Sequence, residues 1–187
     1  MGETWSLTGE IRRHPRYGNQ VHVEQASLIQ PRGQLKTHHW SGVTLSMKNM
    51  FGVVPGVKYG WPKNILHWKG IEQCIVDICA TVPIHFVIAD GIMAMEGNGP
   101  LTGSPRHLGK LVLADDPVAA DATCVRLMGL VPERIPHIQA AAKFIGNSSA
   151  ELIDYLAEAP HPVDNPFDLV PEFQHLSCSP RTLSWIQ

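Results

Sequence analysis

The sequence predicts an α/β domain with a mostly parallel sheet flanked by helices, and three observations carry that expectation. Phe86–Ala89 (FVIA) is a short continuous apolar run, the pattern of a strand buried on both faces. Asp116-Pro117 is a cap residue followed by proline at the first helical position. The order of elements along the chain is helix, strand, loop, strand, helix, helix, which suits a largely parallel sheet.

Residues 1–20 form an irregular lead-in, with Gly9, Pro15 and Gly18 among charges. The α/β domain spans 21–146. Val21–Ile29 reads as a strand, and Pro31 and Gly33 punctuate the chain before Lys36-Thr37-His38-His39. Ser41–Met50 has helical spacing, with Val43, Met47 and Met50 on one side and Ser41 as N-cap. Gly52, Pro55, Gly56, Gly60 and Pro62 make a loop. Ile71, Ile75 and Ile78 follow a 3.6-residue period in a helix over His67–Val82, ended by Pro83. After the FVIA strand and the loop Asp90–Pro105, Leu108–Ala114 reads as the next strand. The helix from Asp116 stops at Gly129, and a second runs from about Pro132 to Phe144. Pro160, Pro162, Pro166 and Pro171 make 147–187 an extended tail.

Composition excludes several classes of function. The formal net charge of −2 offers no electrostatic basis for binding nucleic acid or an anionic membrane. The most apolar stretch, Ile75–Met95, is interrupted by Asp77, Pro83, His85 and Asp90, and a span needs about 20 nearly uncharged residues. Cys74, Cys79, Cys124 and Cys178 form no Cys-x-x-Cys pair, so no iron–sulfur cluster is expected in this chain. With no apolar signal core at the N-terminus, a reduced cytoplasmic protein is expected.

The candidate functional centre is Asp90–Pro105, DGIMAMEGNGPLTGSP. Asp90 follows a buried strand, and ligands of open α/β sheets bind beyond the carboxyl ends of strands, which places Asp90, with Glu96 in the same segment, for catalysis by proton transfer or for metal binding. Glu96 and Asn98 are oxygen donors suited to a hard cation, and Gly97 and Gly99 allow close backbone approach. The bland alternative is a surface turn with Asp90 capping the backbone. Asp121 lies too far inside its helix to cap it. It reads either as a solvated position or as a third carboxylate completing a Mg²⁺ or Mn²⁺ cluster with Asp90 and Glu96. Lys36, Thr37 and a following helix N-terminus suit an anion, and Lys48 and Asn98 extend that anion-binding set. His38 or His39 reads as a general acid or base, as a metal ligand, or as a satisfied histidine; His67 and His137 read as structural. Trp40, Phe51, Tyr59, Trp61 and Trp68 are either core packing or the wall of a pocket for a flat ligand.

The blocks LKTHHWSGVTLSMKNMFGVVPG, KYGWPKN, IADGIMAMEGNGPLTGSP, LVLADDPVAADATCVRLMGL and PERIPHI occur in that order. In them the chain resembles the family known as domain of unknown function 362 over about Val21–Gly146. The resemblance implies an association with iron–sulfur proteins, because some members carry a ferredoxin-like module. It also implies an α/β portion with a Lys-Pro-Asn motif ahead of Leu35, which residues 1–20 do not supply. The sheet is therefore expected to be incomplete on its N-terminal side. Two functions are expected from these readings. One is a catalytic or cofactor-binding domain for a small anionic ligand, with Asp90, Glu96 and Asp121 holding a divalent metal. The other is a redox or assembly partner of an iron–sulfur protein, contacting it through Tyr59 and Trp61. A third reading is an inactive fragment.

Overall fold

The computed structural model describes residues 32–59, 64–161 and 163–178. The strand expected over Val21–Ile29 and the side chain of Trp61 lie outside these residues.

Among the described residues, four strands form one sheet in the order β2-β1-β3-β4. Strand β1 is Arg32–His38, β2 is Gly42–Thr44, β3 is Val87–Glu96 and β4 is Ser104–Ala114. The α/β class is as expected, and the sheet is mixed. Its central joint, β1 beside β3, is parallel, with Gly33 opposite Ala89 and Lys36 opposite Met95. Both outer joints, β1–β2 and β3–β4, are antiparallel. Connection length sets this pattern. A parallel joint needs a crossover, supplied here by the helices between β2 and β3, whereas the short link 97–103 closes β3 and β4 into a hairpin.

The expected loop Asp90–Pro105 is therefore mostly strand. Asp90 lies in the middle of β3, opposite Leu111, and only the tip of the segment turns. The physical cause is the hairpin partner. Paired with β4, β3 continues its ladder past the apolar run to Glu96.

The helix expected over Ser41–Met50 is also redistributed. Gly42, at φ 74°, turns the chain, and Val43 and Thr44 pair back onto Thr37 and Lys36. Both are β-branched residues that suit a strand. Helix α1 is only Ser46–Asn49 and runs into a 3-10 turn over Met50–Val53. Helix α2 is Gly56–Tyr59, α3 is Asn64–Trp68 and α4 is Ile71–Thr81. The single helix expected over His67–Val82 is broken because Gly70 takes φ 114°, which ends α3 and restarts the chain as α4.

Helix α5, Pro117–Leu127, begins as the sequence predicts: Asp116 Oδ1 accepts hydrogen bonds from Val118 N at 2.7 Å and Ala119 N at 3.0 Å. A 3-10 turn over Pro132–Arg134 leads to α6, Pro136–Ala141, shorter than expected because Pro136 starts a new helix. Among its described residues the tail holds two 3-10 turns, at Ala150–Leu152 and Pro171–Leu176.

The sheet buries one face. Leu35, Val87, Ala89 and Ala94 form a buried row and pack into one core with Ile75, Val118, Val125 and Ile138 from the helices. On the opposite face, Ile92, Met93, Leu111 and Leu113 are exposed.

One buried carboxyl group ties α5 to α1 within this core. Asp121 is completely buried in α5, and its carboxylate caps the start of α1 across 75 residues of sequence. Oδ1 accepts from Ser46 N at 2.8 Å and Ser46 Oγ at 2.6 Å, and Oδ2 accepts from Met47 N at 3.1 Å. This is N-cap chemistry supplied by a distant residue, because Leu45 at the cap position has no side-chain acceptor. Burial raises the carboxyl above its ordinary value, and the bonds from Ser46 and Met47 and the nearby His137 pull it back. Substituting Asp121→Ala leaves the buried N–H groups of Ser46 and Met47 without their acceptor and the Ser46 hydroxyl with only the Pro117 carbonyl at 3.5 Å. The expected loss is about 2–5 kcal/mol, read as a lower urea midpoint at unchanged m-value. Ser46→Ala, which removes one of the three bonds, is expected to cost about 1 kcal/mol.

Candidate functional site

The parallel joint gives the sheet one edge where two strands end together. At this edge β1 runs out into His38-His39-Trp40 and β3 into Gly97-Asn98-Gly99-Pro100. Such an edge is where ligands bind in open α/β sheets.

The two segments are bonded to each other. Thr37 Oγ1 donates to the Gly97 carbonyl at 2.9 Å. The Gly99 carbonyl accepts from His39 N at 3.1 Å and lies 2.7 Å from His39 Nδ1. Contact is so close at Gly99 that an added Cβ would stand 2.2 Å from the Thr37 carbonyl oxygen. Gly97 has open space around it but takes φ 79°, so it serves the turn rather than the contact. The turn is closed by Asn98, whose carbonyl accepts from Thr102 Oγ1 at 2.9 Å.

Rings gather around the end of β1. His38 and His39 stack with centroids 5.0 Å apart. His39 meets Trp40 edge-on at 5.4 Å, Trp40 meets His67 at 5.1 Å, and His67 meets Phe51 at 5.3 Å. The Lys48 ammonium lies 5.0 Å from the Phe51 ring centroid. Depth is graded across the cluster: His38 and Phe51 are buried, His67 and Lys48 half-buried, and His39 and Trp40 exposed.

His38 is held neutral. Burial, aided by Lys48, His39, His67 and His137, lowers its pKa from 6.5 to about 3. Trp40 N donates to His38 Nδ1 at 3.0 Å, so the proton of the neutral ring resides on Nε2. His38 is thus a hydrogen-bond donor at neutral pH. A general acid would need a pKa near the working pH.

The carboxylates expected to act together are placed apart in role. Asp121 is buried and spent on capping α1. Glu96 pairs with Arg106 at 2.6 Å and accepts from Asp168 N at 3.1 Å. Asp90 is exposed on β3, and its Oδ1 accepts from Ile92 N at 2.8 Å. Among the described residues, no three His, Cys, Asp or Glu side chains converge. Lys36 is half-buried on β1, and the helix N-terminus expected to join it in holding an anion is filled by Asp121. Tyr59 lies in α2, and Trp61 falls outside the described residues.

Sequence reasoning missed the tail. Arg106 donates to Pro166 O at 3.1 Å and to Asn165 O, and its guanidinium lies 4.5 Å from the Phe167 ring centroid. Gly97 N donates to Asp168 O at 2.6 Å, and Gly97 bridges Leu169 in parallel fashion. The tail therefore braces the same turn that His39 holds from the other side. No local motif announces these contacts. His67, expected to be structural, packs between Trp40 and Phe51.

The profile of the family described as domain of unknown function (DUF362) matches residues 23–126. A thylakoid-associated protein of Synechocystis sp. is 32% identical over 143 residues, which cover 73% of this chain and 41% of the relative. The chain thus matches about two fifths of that relative's length. No solved structure matches it significantly. Among the described residues, no helix is long and apolar enough to cross a membrane.

Two outcomes test this geometry. Gly99→Ala is expected to destabilise by about 1–3 kcal/mol in urea denaturation, because the turn must withdraw from Thr37. Because folding depresses the His38 pKa, its contribution to stability is complete above pH 6.5 and is lost as pH falls toward about 3. Wild type should therefore lose stability relative to His38→Gln across that window, with a slope of at most about 1.4 kcal/mol per pH unit.

Proposed function

We propose that this chain, which belongs to the DUF362 family, is a ligand-binding domain that takes a small anionic molecule at the shared carboxyl edge of β1 and β3. The observation that supports this reading is the cluster at the end of β1, where buried His38 stacks on His39, and a run of rings through Trp40, His67 and Phe51 leads on to Lys48. Together they concentrate basic side chains on one edge of a chain whose overall charge is slightly negative.

The division of labour follows from depth and protonation. Lys48 supplies a charge partly shielded from water, where attraction to an anion is stronger than on an open surface. His38 supplies a directional donor at Nε2 that needs no proton from solvent. Asn98, exposed on the turn, offers an amide to a polar group of the ligand. Thr37 and Gly99 act at one remove, by holding the turn against β1.

Inorganic phosphate is the first probe, followed by isothermal calorimetry or equilibrium dialysis. Wild type is expected to bind it and Lys48→Gln to bind it at least about tenfold more weakly, the loss of one charge-assisted contact. Indistinguishable binding by the two proteins, both folded by circular dichroism, would overturn the assignment.

A further inference from the structure

We infer that the open face of the sheet docks an amphipathic helix of a partner protein, and that this helix carries a lysine or arginine within its apolar stripe. The face is separate from the anion site, which lies at the end of β1. Strand register assembles it. Residues directly opposite in an antiparallel pair point to the same side, and β3 sets Ile88 opposite Leu113 and Asp90 opposite Leu111. Val87, Ala89 and Gly91, which alternate with Ile88 and Asp90, are buried toward the helices, and Val112 and Ala114 pack on the same core. The register slips between Gly91 and Met93, which leaves both Ile92 and Met93 exposed. Ile92, Met93, Leu111 and Leu113 are 46%, 43%, 53% and 59% exposed. Together they present an apolar area on the order of 400 Å², a size that marks interaction sites.

The topology says what kind of layer covers this face. A parallel joint is ordinarily buried on both sides. Among the described residues, helices cover only one side of the β1–β3 joint, and on the other side Gln34 and Asp90, opposite each other, are exposed. In α/β folds the covering layer is helical. A strand added beyond β4 would extend the sheet and leave its face open.

Asp90 says what the helix carries. It lies between Ile88 and Ile92 along β3 and opposite Leu111, so its carboxylate stands inside the apolar patch. Oδ1 accepts from Ile92 N at 2.8 Å, and among the described residues no lysine, arginine or histidine pairs with it. A purely apolar helix would strip this carboxylate of water with no counter-charge. A second copy docked through the same face would bring two Asp90 carboxylates into one buried patch. A cation on the incoming helix avoids both costs and fixes its register.

The probe is a phage-displayed library of helical peptides with one face randomised, selected on wild type. Enriched peptides are expected to carry an apolar stripe at helical spacing with a Lys or Arg inside it. Calorimetry with the best synthetic peptide then uses variants checked for folding by circular dichroism. Leu111→Gln and Leu113→Gln should each weaken binding about tenfold, the loss of one buried aliphatic contact. Asp90→Lys should weaken it at least as much, and a peptide with its cation changed to Glu should regain affinity for Asp90→Lys. The assignment is overturned if no peptide is enriched, if both leucine variants bind the peptide as wild type does, or if the charge exchange gives no rescue. A wild-type dimer in sedimentation that Leu111→Gln dissociates would also overturn it, because a second copy would then occupy the face.

Discussion

The carboxylate of Asp121 is the interaction on which the rest of the arrangement depends. It is a fully buried acceptor that takes hydrogen bonds from Ser46 and Met47, and so fixes where α1 begins against α5. Lys48 follows within α1, and Phe51 follows in the turn after it. The position of the basic and aromatic members of the proposed site is therefore inherited from a bond made inside the core. An unpaired carboxylate there would be costly, and the donors of a short helix would otherwise lack acceptors. Each half of the contact solves a desolvation problem for the other.

The second constraint is the parallel joint of β1 and β3. It brings His38-His39-Trp40 and Gly97-Asn98-Gly99-Pro100 to the same edge although about sixty residues separate them in sequence. The contact is tight enough that Gly99 admits no side chain facing Thr37. On the far side, Asp168 and Leu169 hold Gly97, and Arg106 ties that stretch of tail to Glu96. The turn is thus gripped from both sides. A side chain carried on it, such as that of Asn98, therefore starts from a well-defined backbone position, which would lower the ordering cost of any binding it took part in.

Several features of the fold were legible locally. Asp116-Pro117 starts α5 because capping needs only adjacent residues. Pro83 ends the long helical stretch through its own ring and the restriction it places on Val82. Other features were not legible, for physical reasons. Ser41–Met50 has helical spacing, yet Val43 and Thr44 are drawn into a strand by pairing with β1, a partner that periodicity does not reveal. Gly70 interrupts a regular apolar pattern by its backbone angle, which leaves the hydrophobic period intact. Asp90 looked like the residue after a strand because the apolar run ends there, while the ladder to β4 carries β3 on to Glu96.

By itself the sequence determined the α/β class, the family and the helix from Asp116. These rest on local capping, apolar periodicity and short motifs, all of which act between near neighbours. Only the tertiary structure decided how the charged groups are used. Asp121, expected to be either solvated or a metal ligand beside Asp90 and Glu96, is a helix cap; Glu96 is a clasp on the tail; and His67, read as structural, stands among the rings at the end of β1. A carboxylate or an imidazole has the same sequence signature in each of these roles. What distinguishes the roles is which donors and rings the fold brings within a few ångströms, and that is set by long-range packing.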